Sequence, residues 1–359
     1  MLFVKVDDLK PGMRLGKPIY NKNGGLLYDR DTRLTMQVIY GIRNFGLMGL
    51  YILEPAEPVP PMSEEDINFE RFQTMAVFSI REDLDLIAAG KKDKGLDWLC
   101  SLILKNYANI PHKINFVQSL RSNEDFVYKH SINVALLAAI IAGKMSMPQG
   151  RINTIVKAAL LHDCGGVKIN RAGDMDEDET MRDAVRVNTR EILKNDKELD
   201  ESILRAIEHM QTLEMDNASK DAVEAARANS RATILHVANA YDQMTAMKSY
   251  EEPTSEVKAL RVLLDNPDKY DPVAVQALIN GINVLNPGVC VELTNHVKGV
   301  VIIENETDIF KPWVLSFRDN QLHDLSNSSE SDLQLIDIMK TMDNRIKLDP
   351  DILKEYSAV

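Results

Sequence analysis

The sequence predicts a mainly α protein, a helical bundle with a small β-rich module on its N-terminal side and a small β appendage on its C-terminal side. Three observations predict it. Helical periodicity runs from about Met62 to Gly281, short alternating stretches broken by turn residues precede it, and period-two alternation returns after Gly281.

The N-terminal module is expected over residues 1–54. Pro11-Gly12 and Asn23-Gly24-Gly25 read as turns, the second joining Pro18-Ile19-Tyr20 to Leu26-Leu27-Tyr28, and Leu34 to Phe45 reads as one helix. Pro55, Pro58, Pro60 and Pro61 make a spacer over residues 55–61, too poor in backbone donors for helix or sheet. The helical domain, 62–281, follows. In it Ile152, Ile155, Val156, Ala159 and Leu160 recur at helical spacing, and Gly165-Gly166 is expected to supply the left-handed residue that ends such a helix. That places His162 and Asp163 at its C-terminal turn. Asp271-Pro272 reads as an N-cap with proline at the first helical position, and Gly281 as the stop.

The last segment, 282–359, changes character. Val289, Val291 and Leu293 alternate with Cys290, Glu292 and Thr294, and Val300 to Ile303 and Trp313 to Leu315 read as two further strands. Ser326 to Ser331 is a polar turn, and one or two amphipathic helices are expected to complete the chain. No internal repeat is present.

With 359 residues and 45% hydrophobic content, the chain can build one sizeable core plus small accessory domains. Its longest uncharged apolar run, Val134 to Ala142, falls far below the roughly 18 residues of a membrane span, so it reads as a buried core helix and no membrane partner is expected. The N-terminus meets a charge and a helix breaker too early for a signal peptide, which makes a cytoplasmic location the expectation. Cys100, Cys164 and Cys290 form no CxxC pair and read as buried thiols. A formal charge of -12 argues against nucleic acid as a partner, because a phosphate backbone needs a surplus of cations. The acidic stretch Asp174 to Glu179 lacks the glycine and spaced ligands of a calcium loop and reads as solvated.

Chemistry concentrates on two helices. The one bearing His130 is apolar almost all round (Ile132, Val134, Leu136, Leu137, Ile140, Ile141) and belongs in the bundle centre, where an imidazole without a partner is costly. A second apolar helix delivers His162 and Asp163. Each histidine alone reads as a satisfied core residue; two imidazoles and a carboxylate converging from facing helices suit Zn, Mn or Fe.

In HSINVALLAAIIAGKM (His130 to Met145), KAALLHDCGGVKI (Lys157 to Ile169) and ILHVANAYDQMTAMKSY (Ile234 to Tyr250), the sequence resembles the HD-GYP branch of the HD phosphohydrolases. VDDLKPGMRLGKPIYNKNGGLL near the start and Asn286-Pro287-Gly288 look like the flanks of such proteins. The resemblance implies an HD-type helical bundle that binds metal ions and attacks the phosphodiester of cyclic di-GMP. Matched position by position, His130, His162 and Asp163 stand where the family keeps its first His and its HD pair, and His209 begins its His-His-Glu run. Met210 and Gln211 then replace the second His and the acid, Val185 stands at a His position, Asn239 at a metal-binding Asp, and Gly166 at a lysine. The Gly-Tyr-Pro loop has no counterpart, and Lys248-Ser249-Tyr250-Glu251 keeps one cation of an Arg-rich segment.

These matches set the functional expectation. His130, His162, Asp163 and His209 could together hold one divalent transition metal (Mn, Fe or Zn), or the site holds none; Asp163 is the catalytic residue if the site is active. Asp242, or His236, could substitute for the missing aspartate. Arg182, Arg186 and Arg190, with Lys168 and Arg171 nearby and Lys248 further on, could meet a phosphate, although the arginine stripe reads first as a solvated face. The expected role is a degenerate HD-GYP signalling protein that binds a partner protein or cyclic di-GMP without efficient hydrolysis. The alternatives are an active phosphodiesterase with an altered site and a purely structural interaction module.

Overall fold

The computed structural model describes residues 2–21, 25–43, 49–55, 59, 62–118, 125–170, 179–246, 253–327, 332–339, 345–346 and 348. They are mostly helical, with small sheets near both ends of the chain, as the sequence predicts. Contacts divide the chain into two compact units, residues 1–75 together with 284–359, and residues 76–283.

The first unit begins with β1 (Leu2–Lys5), β2 (Arg14–Leu15), β3 (Ile19–Tyr20), β4 (Leu26–Tyr28), α1 (Met36–Arg43) and β5 (Gly49–Leu53). β5 lies antiparallel between β1 and β2, and β3 pairs with β4. Residues 23 and 24 of the expected turn, and most of the proline spacer, lie outside the described residues. Leu15, Leu34, Ile39, Ile42, Leu50 and Ile52 form this module's core. α2 (Glu64–Ala88) starts on a capping box: Ser63 Oγ accepts from Asp66 N and Asp66 Oδ2 from Ser63 N, at 3.1 and 3.0 Å.

The helical unit holds α3 (Leu96–Tyr107), α4 (Phe126–Lys144), α5 (Gln149–Leu161), α6 (Gly166–Asn170), α7 (Glu179–Lys194), α8 (Glu201–Glu214), α9 (Lys220–Arg227), α10 (Ser230–Thr245), α11 (Glu256–Asp265) and α12 (Pro272–Ile279). α4 is the central element: it packs on α3, α5, α10 and α12, and its residues are buried from Val127 to Ala142 apart from Lys129. It is long and apolar enough to cross a membrane, yet 83% of that span is buried within the protein, so neighbouring helices already cover its apolar surface. On α5 the stripe Ile152, Ile155, Val156, Ala159 and Leu160 is buried, as its spacing requires.

The stop after α5 differs from the expectation. Neither Gly165 nor Gly166 is among the positive-φ glycines; the chain leaves the helix through His162 in ordinary helical geometry and passes straight into α6. Glycine is needed at 165 for another reason. A Cβ there would lie 2.4 Å from the backbone nitrogen of Thr189 and 2.5 Å from the carbonyl of Val185, so its absence lets α7 press against the turn. Gly281 does follow α12, where its missing Cβ spares a 2.3 Å collision with Ile140 of α4.

The C-terminal sheet, β6 (Cys290–Leu293), β7 (Lys298–Ile303), β8 (Trp313–Ser316), β9 (Leu322–Asp324) and β10 (Leu335–Ile338), is antiparallel in the order β10-β6-β7-β8-β9. The first three strands are those expected. β10 corrects the amphipathic helix at that point: Leu335 and Ile338 are three apart, a helical spacing, but a bulge between Leu335 and Asp337 puts both in the buried layer against β6. Most residues beyond 339 lie outside the described set.

The predicted cap of α12 is present, with Asp271 Oδ1 accepting from Val273 N and Ala274 N at 2.8 and 2.9 Å. Asp271→Ala should therefore lower stability by about 1 kcal/mol in urea unfolding, the usual loss of an N-cap; an unchanged midpoint would show the cap to be idle.

Candidate metal centre

The centre is built on a carboxylate that the bundle buries completely. Asp242 of α10 sits 2.6 Å through Oδ2 from His130 Nδ1, and its Oδ1 accepts from Gln118 Nε2 and Asn133 Nδ2, each at 3.0 Å. The two amides are tied to each other, Asn133 Nδ2 donating to Gln118 Oε1 at 2.9 Å, and Gln118 also donates to Thr245 Oγ1 at 2.9 Å. An ionised carboxylate only accepts, so His130 Nδ1 carries the proton and Nε2 presents its lone pair.

His162 reaches the same state by another route. Its Nδ1 lies 2.7 Å from the carbonyl of Ala159, an acceptor that the end of α5 would otherwise leave open, so Nδ1 donates and Nε2 is again the bare nitrogen. The two Nε2 atoms face each other at 3.2 Å, and Asp163 Oδ2 lies 3.6 Å from both. Both imidazoles are fully buried, while the Asp163 side chain is 24% exposed. Burial holds His162 below the ordinary histidine range; His130 pushes the same way and Asp163 opposes it.

Two lone pairs and a carboxylate oxygen converging within 4 Å repel one another unless a cation lies among them. The donors are nitrogen and oxygen, their separations of 3.2–3.6 Å suit neighbouring ligands of an ion bound at about 2.0–2.2 Å, and both imidazoles are oriented from behind. The three residues therefore fit a divalent transition metal. Among the described residues they form the group whose ligand atoms lie within 4.8 Å of one another.

With this geometry in hand, residues 127–244 match the HD domain family. This segment is an HD domain. Among solved structures the chain is similar to Bd1817, a HDG"Y"P protein from Bdellovibrio bacteriovorus, with 14% identity and a TM-score of 0.46 over 77% of this chain and 97% of that one. No curated protein matches the chain.

The other sequence-derived candidates fall elsewhere. His209 of α8 is not in the converging group; it is only half-buried, and its Nδ1 meets Asn229 Nδ2 at 3.3 Å. Asn239 is close, within hydrogen-bonding reach of His162, but its amide donates to Glu214 Oε1. Asp242 does not replace it as a ligand and instead orients His130. His236 packs instead against Tyr270, ring centres 4.9 Å apart and the planes tilted by 32°. The arginine stripe is split: Arg182 is exposed, Arg186 turns inward to Asp183 and Glu214, and Arg190 Nε donates to the carbonyl of Arg186. Lys168 is exposed, and Arg171 and Lys248 lie outside the described residues.

Sequence reading missed Glu214 and the Gln118–Asn133 clamp. Glu214 lies three residues past Gln211, so one turn of α8 puts a carboxylate on the same helix face. Gln118 precedes α4 in irregular chain, and no periodicity marks it.

Two expectations follow. Asp242→Asn replaces an acceptor of three donors by a group that donates on one side, so Mn or Zn affinity in calorimetric titration should fall about 10–100-fold with the fold intact; unchanged affinity would remove Asp242 from the metal's support. His236, 3% exposed, is pushed by burial down to about 4, so the unfolded chain takes up its proton first on acidification. Its contribution is complete above pH ~6.5 and is lost as pH falls toward 4, about 3 kcal/mol in all. Urea unfolding across that range should show a slope that flattens in His236→Phe.

Proposed function

We propose that the chain is a degenerate signalling protein of the HD-GYP type that holds one divalent transition metal on His130, His162 and Asp163 and binds a partner protein or cyclic di-GMP without efficient hydrolysis. The observation that carries this reading is the donor set itself: three donors converge, and the next position, Asn239, offers a neutral amide whose nitrogen donates to Glu214 and whose oxygen accepts from Gln243. Phosphodiester cleavage of this type uses one metal to lower the pKa of water from about 15.7 to near 7 and usually a second to stabilise the leaving oxygen. Val185, Met210 and Asn239 stand where ligands for further ions would be needed.

When bound, the ion supplies Lewis acidity to a phosphate oxygen. The chain's own residues do the rest. Asp242 and the Ala159 carbonyl keep both imidazoles aimed, and the buried helices keep water from the two nitrogens. Asp163, with part of its side chain exposed, is the side from which an anionic ligand arrives.

A second reading, a single-metal phosphohydrolase, is favoured by one observation: three protein donors leave coordination positions open, the arrangement of many catalytic sites. Metal analysis of the purified protein, calorimetry with cyclic di-GMP and a hydrolysis assay with added Mn or Fe separate the readings. The expected result is bound metal and saturable binding without steady turnover. Turnover that disappears in His162→Ala would establish the hydrolase instead, and protein with neither metal nor ligand binding would leave only an interaction module.

A further inference from the structure

Another carboxylate reaches the same cleft. Glu214, at the end of α8 with 17% of its side chain exposed, accepts from Arg186 Nη2 at 3.3 Å and from Asn239 Nδ2 on its other oxygen. Asn239, which donates to Glu214, also acts on His162, so Glu214 and the metal donors share a neighbour. Burial pushes the Glu214 carboxyl above its ordinary range, Arg186 opposes this and Asp163 adds to it. Arg186 is itself held by Asp183 at 2.8 Å, and only 12% of its side chain is exposed. One turn earlier on the same face of α8, Gln211 is 2% exposed, and neither its amide nitrogen nor its amide oxygen has a partner. A buried amide in that state marks a place where a polar ligand is missing.

We infer that Arg186 is a built-in cation standing in for a second metal ion: by pairing with Glu214 it withholds that carboxylate, and with it the buried Gln211 amide one turn earlier on α8, from a divalent cation next to the first. The inference rests on the reading that His130, His162 and Asp163 hold metal. A guanidinium keeps its charge at every accessible pH, so Glu214 stays compensated and gains nothing from an ion. Without that charge a buried carboxylate remains beside Asp163 and must take either a proton or a cation. Carboxylate and amide oxygens together favour a hard ion such as Mn.

Equilibrium dialysis against Mn, with the metal-to-protein ratio read by mass spectrometry, tests this on the full chain. Wild type should hold one Mn per chain and Arg186→Met, which keeps the length but loses the charge, should hold two, with a further Mn-dependent rise in melting temperature. Arg186→Lys should stay at one, and Arg186→Met combined with Glu214→Gln should return to one. If Arg186→Met does not fold, Arg186→Gln carries the same test. One ion in both wild type and the uncharged variant overturns the inference while leaving the metal centre standing. Two in wild type overturns the inference alone, and none in wild type overturns both.

Discussion

The bond between the Asp242 carboxylate and His130 Nδ1 is the interaction on which the site depends. A carboxylate carried into the centre of a bundle loses its hydration, at a cost of several kcal/mol, and must recover it from donors placed in advance. Here the donors are His130, Gln118 and Asn133, so α4, α10 and the segment before α4 are fixed in one mutual register. The same bond decides the tautomer of His130. Everything that follows at Nε2 depends on that choice.

The end of α5 shows a similar economy. His162 satisfies the Ala159 carbonyl through Nδ1 and offers Nε2 to the centre, so one side chain both finishes the helix and supplies a donor. The chain can then turn without a left-handed residue, and Gly165 is free to serve packing. By admitting α7 it brings Val185 and Arg186 to the HD turn. Val185 cannot bind a metal, but its neighbour on the helix delivers a guanidinium to the Glu214 carboxylate.

Much of this was legible in the sequence, for identifiable reasons. α4 and α5 bury nearly whole faces, and a run as apolar as Val134 to Ala142 admits few other readings. Asp271 announces its helix because an N-cap is a local device. β10 was misread because a bulge gives a strand the spacing of a helix, and only its partner strand reveals it. His130, His162 and Asp163 were legible because each sits on a periodic helix. His209 shows the limit: its helix was clear, but its direction within the bundle depends on how α8 rotates against α9 and α10, and it ends beside Asn229. Asp242 lies three residues, one helical turn, after Asn239, yet whether it binds metal or a histidine is settled by a contact 112 residues away in sequence.

Charge divides the cleft into two parts of different kind. In one, the carboxylates of Asp242 and Asp163 stand against two imidazoles that present lone pairs, a set that a divalent cation would balance. In the other, Glu214 is already matched by Arg186, and Asn239 adds a neutral donor between the parts. Had Asn239 been an aspartate, its carboxylate would have faced Glu214, two like charges at contact distance, which only a cation between them could hold. An amide at 239 and a guanidinium at 186 are thus mutually consistent: the first removes the charge that a further ion would have bridged, and the second neutralises the one that remains. A cleft built this way has a physical reason to take one ion where the same helices could frame more.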